Sequence, residues 1–339
     1  MQGNAPSSIP TPPDFNSLDS LMTLRATPLQ PPDFSHIYGV DDIMLLNAPT
    51  FPLLPAAAVS RVQFAFKQLQ DAPRMMVLEN QTAWCHPLLY RNKMPRSIRG
   101  FGRAITKYFN VLDAYSSCAL HLARNAANSA MISSIIESRV AEIITSEQPN
   151  TPLECLARVH ALILYQTIRL FDNDVSCRLA AEVAMPSLRA AVVALLPHAN
   201  FEDTLSLSNV ATRFLSSSEG SFWETWVFEE SARRTMLLSN YLTRIWELMR
   251  GDQGLHCDYK LGFSHCWYVS SQLWEAKSPY EFAVAYAEKS RFLISNLDFT
   301  DLLVHGKPED VDMFGKIMLT GRLGLDAAQE WFASRGAMF

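Results

Sequence analysis

The sequence predicts an all-α fold, a bundle-like body of roughly ten or more helices that follows an extended, proline-rich N-terminal segment. Apolar residues recur at spacings of three and four along most of the chain after residue 56, which is typical of amphipathic helices. Glycine accounts for only 13 of the 339 residues, so a β-rich fold or an enzyme built on glycine loops is disfavoured. No stretch alternates apolar and polar residues for long enough to predict a strand.

The N-terminal segment, residues 1–55, holds ten of the 19 prolines and a single arginine, Arg25. Helices do not run through prolines at this spacing. Residues 1–30 are predicted to be a tail, and the more apolar residues 31–55 an extended segment that lies on the helical body. The alternative is disorder throughout the segment. The body is predicted to cover residues 56–339.

The first predicted helix, residues 57–71, carries one apolar stripe at helical spacing. Two more, residues 98–124 and 127–146, form a pair. Residues 151–154 (TPLE) combine a capping box with proline at the first helical position. Another helix is therefore expected to begin there and to run to about Phe171.

Residues 175–196 form the next predicted helix, which Pro186 should kink or split in two. Residues 200–220 are polar and rich in serine, as in a surface loop. This loop is the best candidate boundary inside the body, with possible halves at 56–200 and 221–339.

The clearest helix pattern follows the loop. Ser221 is expected to cap this helix, Glu224 completes the capping box, and Gly251 stands just past its end. The remaining predicted helices are shorter and lie near residues 264–275, after a capping box at Ser278 and Glu281, and near 298–305, 308–322 and 324–334.

Charge and cysteine usage exclude several classes of function. The net charge is −5, and no run of basic residues exceeds the pair Arg233–Arg234, so direct nucleic-acid binding is not expected. None of the six cysteines forms a C-x-x-C pair, which favours free thiols in a reducing compartment over disulfides or zinc. The N-terminus lacks a signal-peptide pattern, and no apolar run reaches the roughly 18 residues that span a bilayer. We expect no membrane insertion and a nuclear or cytoplasmic location.

Motifs for nucleotide, acyl-transfer or zinc-hydrolase chemistry are absent from the sequence, so no metal or cofactor is expected. An acidic turn begins at Asp172 and is followed by Glu182, a pattern that suggests a magnesium–diphosphate site. Its spacing is off the helical register, so we interpret Asp174 as the cap of the next helix. The Glu229–Glu230 and Arg233–Arg234 pairs are interpreted as ion pairs along a helix surface.

If a ligand pocket exists, we expect it between the helices at 151–172 and 221–250, lined by aromatic residues and a few polar groups. The candidate ligand-binding residues are Trp84, His86, Tyr115, His160, Trp226 and Glu230. The simpler alternative for the aromatic residues is the core. For His160 it is a buried histidine bonded to a backbone carbonyl.

Several segments resemble the helical regulatory region, the middle homology region, of fungal binuclear zinc-cluster transcription factors. They include TAWCHPLLY (82–90), DAYSSC (113–118), FWETW (222–226), ESARRT (230–235) and WFASRG (331–336). The resemblance covers about residues 57–336. In that family an N-terminal cluster of six cysteines binds two zinc ions and reads DNA, whereas residues 1–60 here contain no cysteine. The resemblance therefore implies the regulatory body without the DNA-binding module.

Three hypotheses follow from this resemblance. The first is a stand-alone transcription-factor-like regulator that binds a small-molecule metabolite or a protein partner in fungal secondary metabolism. A second copy of the chain, in a homodimer, is a further candidate partner. The second is a biosynthetic enzyme on a repurposed fold, a cyclase or pericyclase that acts on an apolar natural-product intermediate and needs no cofactor. The third is a gene product that lacks its DNA-binding exon, against which the start at Met1 with a proline-rich lead-in argues.

Overall fold

A computed structural model describes residues 56–90, 109–172, 174–202, 205, 219–250 and 266–339. The predictions for residues 1–55, for the start of the 98–124 helix and for Gly251 lie outside the described residues. Most of the predicted serine-rich loop does so too.

Eleven α-helices are described. In the first part of the body they are α1 (Ala56–Glu79), α2 (Phe109–Leu122), α3 (Ser129–Thr145), α4 (Pro152–Leu170), α5 (Val175–Leu195) and α6 (Glu219–Met249). In the C-terminal part they are α7 (Ser271–Trp274), α8 (Pro279–Glu288), α9 (Thr300–His305), α10 (Met313–Leu323) and α11 (Leu325–Ala333). Two 3₁₀ turns, Leu196–His198 and Pro308–Asp310, and two strands complete the described elements. The all-α prediction is confirmed.

Two predicted helices begin at the expected N-cap residues. Thr151 is the N-cap residue of α4 with Pro152 at the first helical position, but its side chain accepts no capping hydrogen bond, so the predicted capping box is not formed there. The Thr151 hydroxyl donates instead to the Glu154 carboxylate at 2.8 Å. At α8, Ser278 Oγ accepts a hydrogen bond from the Glu281 amide at 3.2 Å. These contacts satisfy amide or carboxylate groups at the exposed first turns of the helices.

Two details of the predicted helices are corrected. The helix α5 continues from Val175 to Leu195 through Pro186, so the chain is not split into two helices there, and a kink at Pro186 stays a prediction. The ring lies on the solvent side of the helix, where the lost hydrogen bond leaves a carbonyl that water can reach. The helix α6 begins at Glu219, which places Ser221 inside it and not at its cap.

A short antiparallel pair of strands contradicts the expectation that the chain has no strand. Cys266–Val269 (β1) pairs with Phe292–Ser295 (β2), with Cys266 opposite Ser295. The helix predicted near 264–275 is therefore wrong in its first part. All four residues of β1 are buried, so no alternating pattern marks the strand.

Two helices form the centre of the body. Residues 155–170 of α4 and 229–239 of α6 are buried without interruption, as expected for helices covered on all sides. Packing against α4 are α1, α2, α3, α5 and α6, and α6 also contacts α5, β1 and α8. The first helix, α1, packs against α10 and α11 near the end of the chain. The division of the body into halves stays a prediction.

The helix α5 with its following turn is unusually apolar. In the described part of the chain, Val175–His198 is the one helical stretch that meets the length and composition expected of a membrane span, with a mean hydropathy of 1.7. Core helices of soluble proteins meet the same criterion. One side of α5 is buried against α4 and α6.

Candidate functional site

The buried run of α6 carries four charged residues in its first six positions, Glu229, Glu230, Arg233 and Arg234. Spacings of three and four place Glu230 beside both arginines on the helix. The ion pairs expected from the sequence are present, but their predicted location on the surface is wrong. Glu230 and Arg234 are both fully buried.

Glu230 lies at the centre of this charge network. Its Oε1 accepts from Arg234 Nε at 2.9 Å and from the Tyr268 backbone amide at 3.1 Å, and its Oε2 accepts from Arg233 Nη1 at 3.3 Å. Arg233 also lies 3.7 Å from Glu229 and donates from Nε to the Asn200 carbonyl at 2.7 Å. The network therefore ties α6 to β1 and to the segment after α5.

Arg234 makes the widest set of contacts. Its Nη1 donates to Asp312 at 2.5 Å and to the Ala83 carbonyl at 3.4 Å, and its Nη2 donates to the Tyr268 carbonyl at 3.0 Å. The guanidinium carbon lies 3.9 Å from the centroid of the Trp274 ring. A buried charge is tolerated when it is paired and its donors are satisfied, and Arg234 meets both conditions.

His86 borders this network. Its Nε2 lies 2.8 Å from the Trp274 carbonyl, and its Nδ1 accepts from the Leu88 amide at 3.2 Å. The two contacts define the neutral tautomer with the proton on Nε2. Burial, together with the positive charge of Arg234, lowers the His86 pKa to about 4. Trp84 is buried two residues earlier.

His160 lies in α4 and contacts α6 one residue after Arg234. Its Nδ1 lies 2.8 Å from the Tyr90 hydroxyl, and its Nε2 lies 2.7 Å from Thr235 Oγ1. The alternative expectation of a bond to a backbone carbonyl is therefore wrong, although His160 is a core residue. Burial lowers the His160 pKa to about 3, so the ring is neutral at physiological pH.

The other two candidates lie apart from Arg234. The Tyr115 hydroxyl donates to the Val77 carbonyl at 3.1 Å and so links α2 to α1. Trp226 stands one turn before Glu230 on α6 and packs against Phe282, with ring centroids 4.9 Å apart. Its indole nitrogen is buried and has no hydrogen-bond acceptor among the residues that the structure describes.

The acidic turn after α4 has a structural role. Asp174 caps α5 by accepting from the Ser176 amide at 2.8 Å, which confirms the cap interpretation. Asp172 is ion-paired with Arg124, while Glu182 turns away to Arg250 at 3.2 Å. Among the described residues, no group of three or more His, Cys, Asp and Glu side chains is arranged to hold a metal.

Sequence reasoning missed several partners of the candidate residues, namely Tyr90, Thr235, Tyr268, Trp274 and Asp312. Asp312 had a weak local signal, because its Oδ1 caps α10 by accepting from the Gly315 amide at 2.8 Å. That same cap divides the predicted 308–322 helix into a 3₁₀ turn and α10. The contact to Arg234 spans 78 residues, and no local pattern reports it.

The comparisons with known proteins point to a fungal transcription factor. The chain is similar to a protein of Penicillium aethiopicum described as transcription factor gsfR2. The two are 28% identical over 323 residues, which cover 94% of this chain and 73% of the relative. No protein-family model matches the chain, and no solved structure matches it. The similarity thus relates nearly the whole chain to a transcription factor.

Proposed function

We propose that this chain is a regulatory protein of the transcription-factor type. The observation that carries the proposal is the similarity to a transcription factor over 94% of the chain. The mainly helical body, with long buried stretches in its two central helices, is consistent with the regulatory region that the sequence resembles. Fold alone does not define function, so the proposal depends on the relative and on the experiments below.

The proposed mode of action is binding of a metabolite or a protein partner, in the nucleus or cytoplasm, without direct contact of the body with DNA. The net charge of −5 supports the last point, because nucleic-acid binding requires a basic surface. A fungal secondary-metabolite pathway is the setting that we propose, from the resemblance to zinc-cluster regulators.

Within the candidate residues, Trp226 is the one that we propose for ligand contact. The side chains of His86, Tyr115, His160 and Glu230 are bonded to the protein itself. A buried N–H without an acceptor costs free energy, which a ligand oxygen would recover. Trp223, three residues earlier on the same helix, has a second indole N–H of this kind. A carbonyl-bearing apolar metabolite suits two such donors.

Transcript profiling tests the regulatory role. The gene is deleted in its host, and transcripts and metabolites are compared with those of a strain that re-expresses the wild-type chain. A set of genes whose expression changes together and is restored by the wild-type chain supports the proposal. Unchanged transcripts with one missing metabolite would instead favour the enzyme hypothesis.

Ligand contact has its own test. Trp226→Phe keeps one aromatic ring beside Phe282 and removes the N–H together with the five-membered ring of the indole. Trp246→Phe is the matched control on the same helix, because the Trp246 ring faces the Arg250 guanidinium at 4.7 Å near the helix end. Native mass spectrometry after incubation with host extract should show a retained compound that Trp226→Phe binds about ten-fold more weakly, the loss expected for one hydrogen bond. Equal retention by both variants would remove Trp226 from the site.

A further inference from the structure

The solvent-facing side of α5 carries an uninterrupted apolar stripe. One residue per helical turn is exposed and apolar, from the start of α5 into the following 3₁₀ turn: Val175, Leu179, Val183, Pro186, Ala190, Val193 and Pro197. Val183 is 74% exposed and Leu179 60%. Single exposed apolar residues are common on surfaces, whereas a stripe of seven marks an interaction surface.

From Leu179 to Pro197 the stripe alternates spacings of four and three, the a and d pattern of helices that pair with another helix. The opposite side of α5 already packs against α4 and α6. The helix is thus apolar on two sides, which explains its high mean hydropathy. The exposed stripe is long enough for six turns of helix pairing.

The charges beside the stripe indicate what covers it. Glu182 and Arg189 are seven residues apart and flank the stripe on one side, each in the position before an a residue. In an antiparallel pair of helices these positions face each other across the two-fold axis. Glu182 of one copy then meets Arg189 of the other, twice per dimer. A parallel pair would place them opposite Ser187 and Ala194, with no charge pairing.

We propose that α5 is a homodimer interface in which two copies of the chain pair their stripes antiparallel about a two-fold axis near Pro186. Val183 packs against Pro186 of the second copy, and Leu179 packs against Ala190. Glu182 and Arg189 also have partners in their own molecule, Arg250 at 3.2 Å and Glu247 at 2.6 Å. All four side chains are partly exposed, so Glu182 and Arg189 can each contact the second copy as well. The contacts within and between the two copies then form one network of alternating charges.

The size of the stripe sets the expected affinity. Twenty-three residues of helix span about 33 Å, and a helix is about 10 Å wide. The footprint is therefore about 330 Å² on each copy, which is smaller than a standard specific interface, so we expect a weak dimer that forms at tens of micromolar. The concentration range of sedimentation experiments covers this affinity.

Sedimentation velocity of the full chain from 1 to about 100 μM tests the proposal, and a monomer–dimer equilibrium is expected in this range. Val183→Glu should weaken dimerisation by at least about ten-fold, because each dimer then buries two charges. Val304→Glu is the matched control, since Val304 in α9 is 63% exposed and lies outside the stripe. It should dimerise like the wild type.

Charge reversal tests the antiparallel arrangement. Glu182→Arg alone places like charges across the axis, and so does Arg189→Glu alone, so each should be more monomeric than the wild type. A one-to-one mixture of the two variants should form mixed dimers, because the opposing charges are complementary again. Circular dichroism should show equal helix content in both variants.

Three results would overturn the proposal. A wild-type monomer at the highest concentration would mean that another part of the chain, or another partner, covers the stripe. A dimer that Val183→Glu leaves intact would place the interface elsewhere. A monomer that sediments with phosphatidylcholine vesicles would assign the stripe to a membrane surface.

Discussion

Replacing Arg234 by glutamine should destabilise the protein more than any replacement of an exposed arginine. Gln cannot keep the ion pairs to Glu230 and Asp312, whose contacts to Arg234 are 2.9 and 2.5 Å long. It also loses the guanidinium face on Trp274. Two carboxylates are then buried beside one remaining arginine, Arg233.

The size of the effect follows from the burial. Removing one partner of a buried ion pair costs about 3–5 kcal/mol, because the other partner stays desolvated without compensation. For a chain of 339 residues this corresponds to a melting temperature about 4–7 °C lower, at about 2 cal/mol/K of unfolding entropy per residue. The matched control is Arg74→Gln. Arg74 pairs with Asp71 at 2.6 Å, but the pair is exposed to solvent, so its loss should be small beside the loss of Arg234.

Urea unfolding followed by tryptophan fluorescence and circular dichroism measures both variants. Arg234→Lys is the second variant if Arg234→Gln does not fold. Lysine keeps the charge and loses the planar fork, so its stability should be intermediate. If Arg234→Gln unfolds within about 1 kcal/mol of the wild type, like Arg74→Gln, the network does not stabilise the core and the reasoning fails.

Three further results are expected. The pKa values of His86 and His160, about 4 and about 3, lie below the value of 6.5 in the unfolded chain, so the unfolded state binds more protons. The free energy of unfolding should therefore fall by about 1 kcal/mol per pH unit for each ring as the pH drops below 6.5. Urea unfolding at a series of acid pH values measures this fall. Ser278→Ala should cost about 1 kcal/mol of unfolding free energy through loss of the α8 cap, and no change would rule out that cap. Burial raises the pKa of the Cys85 and Cys118 thiols to about 12, so native alkylation with peptide mapping should leave both unmodified until urea is added.

The helices were predictable because their signals are local. Thr151 and Ser278 each begin a helix and contact a glutamate three residues later, Thr151 through the Glu154 carboxylate and Ser278 through the Glu281 amide. The apolar residues of α4 recur at helical spacing, which marks the length of the helix and one buried face. Local signals of this kind depend on short-range geometry and need no knowledge of the rest of the fold.

The pairing of β1 with β2 and the continuity of α5 through Pro186 were not predictable for physical reasons. Strand β1 is four residues long and wholly buried, so it lacks the alternation that identifies a half-exposed strand. Pro186 is tolerated because its side of the helix faces solvent. In both cases the tertiary surroundings decide the outcome.

The candidate site was partly predictable. Glu230 is bonded to Arg234, and His86 is bonded to Trp274, whose ring lies against the Arg234 guanidinium. His160 contacts the neighbouring turn of α6 through Thr235. The burial of the charges was missed, because ion pairs at helical spacing look the same on a surface and in a core. A sequence signal did exist, since residues 231–239 around the two arginines contain no further charge.

The contacts of Arg234 also affect how the chain folds during synthesis. Its carboxylate partner Asp312 follows it by 78 residues, which at about 5–20 residues per second emerges roughly 4–16 s later. Until then the guanidinium lacks that partner. The helix α1 likewise lacks α10 and α11, against which it packs in the folded protein. The core is therefore completed only after the C-terminal residues have been made. A nonsense variant that ends before residue 312 should yield a chain that cellular proteases remove, and not a partly active fragment.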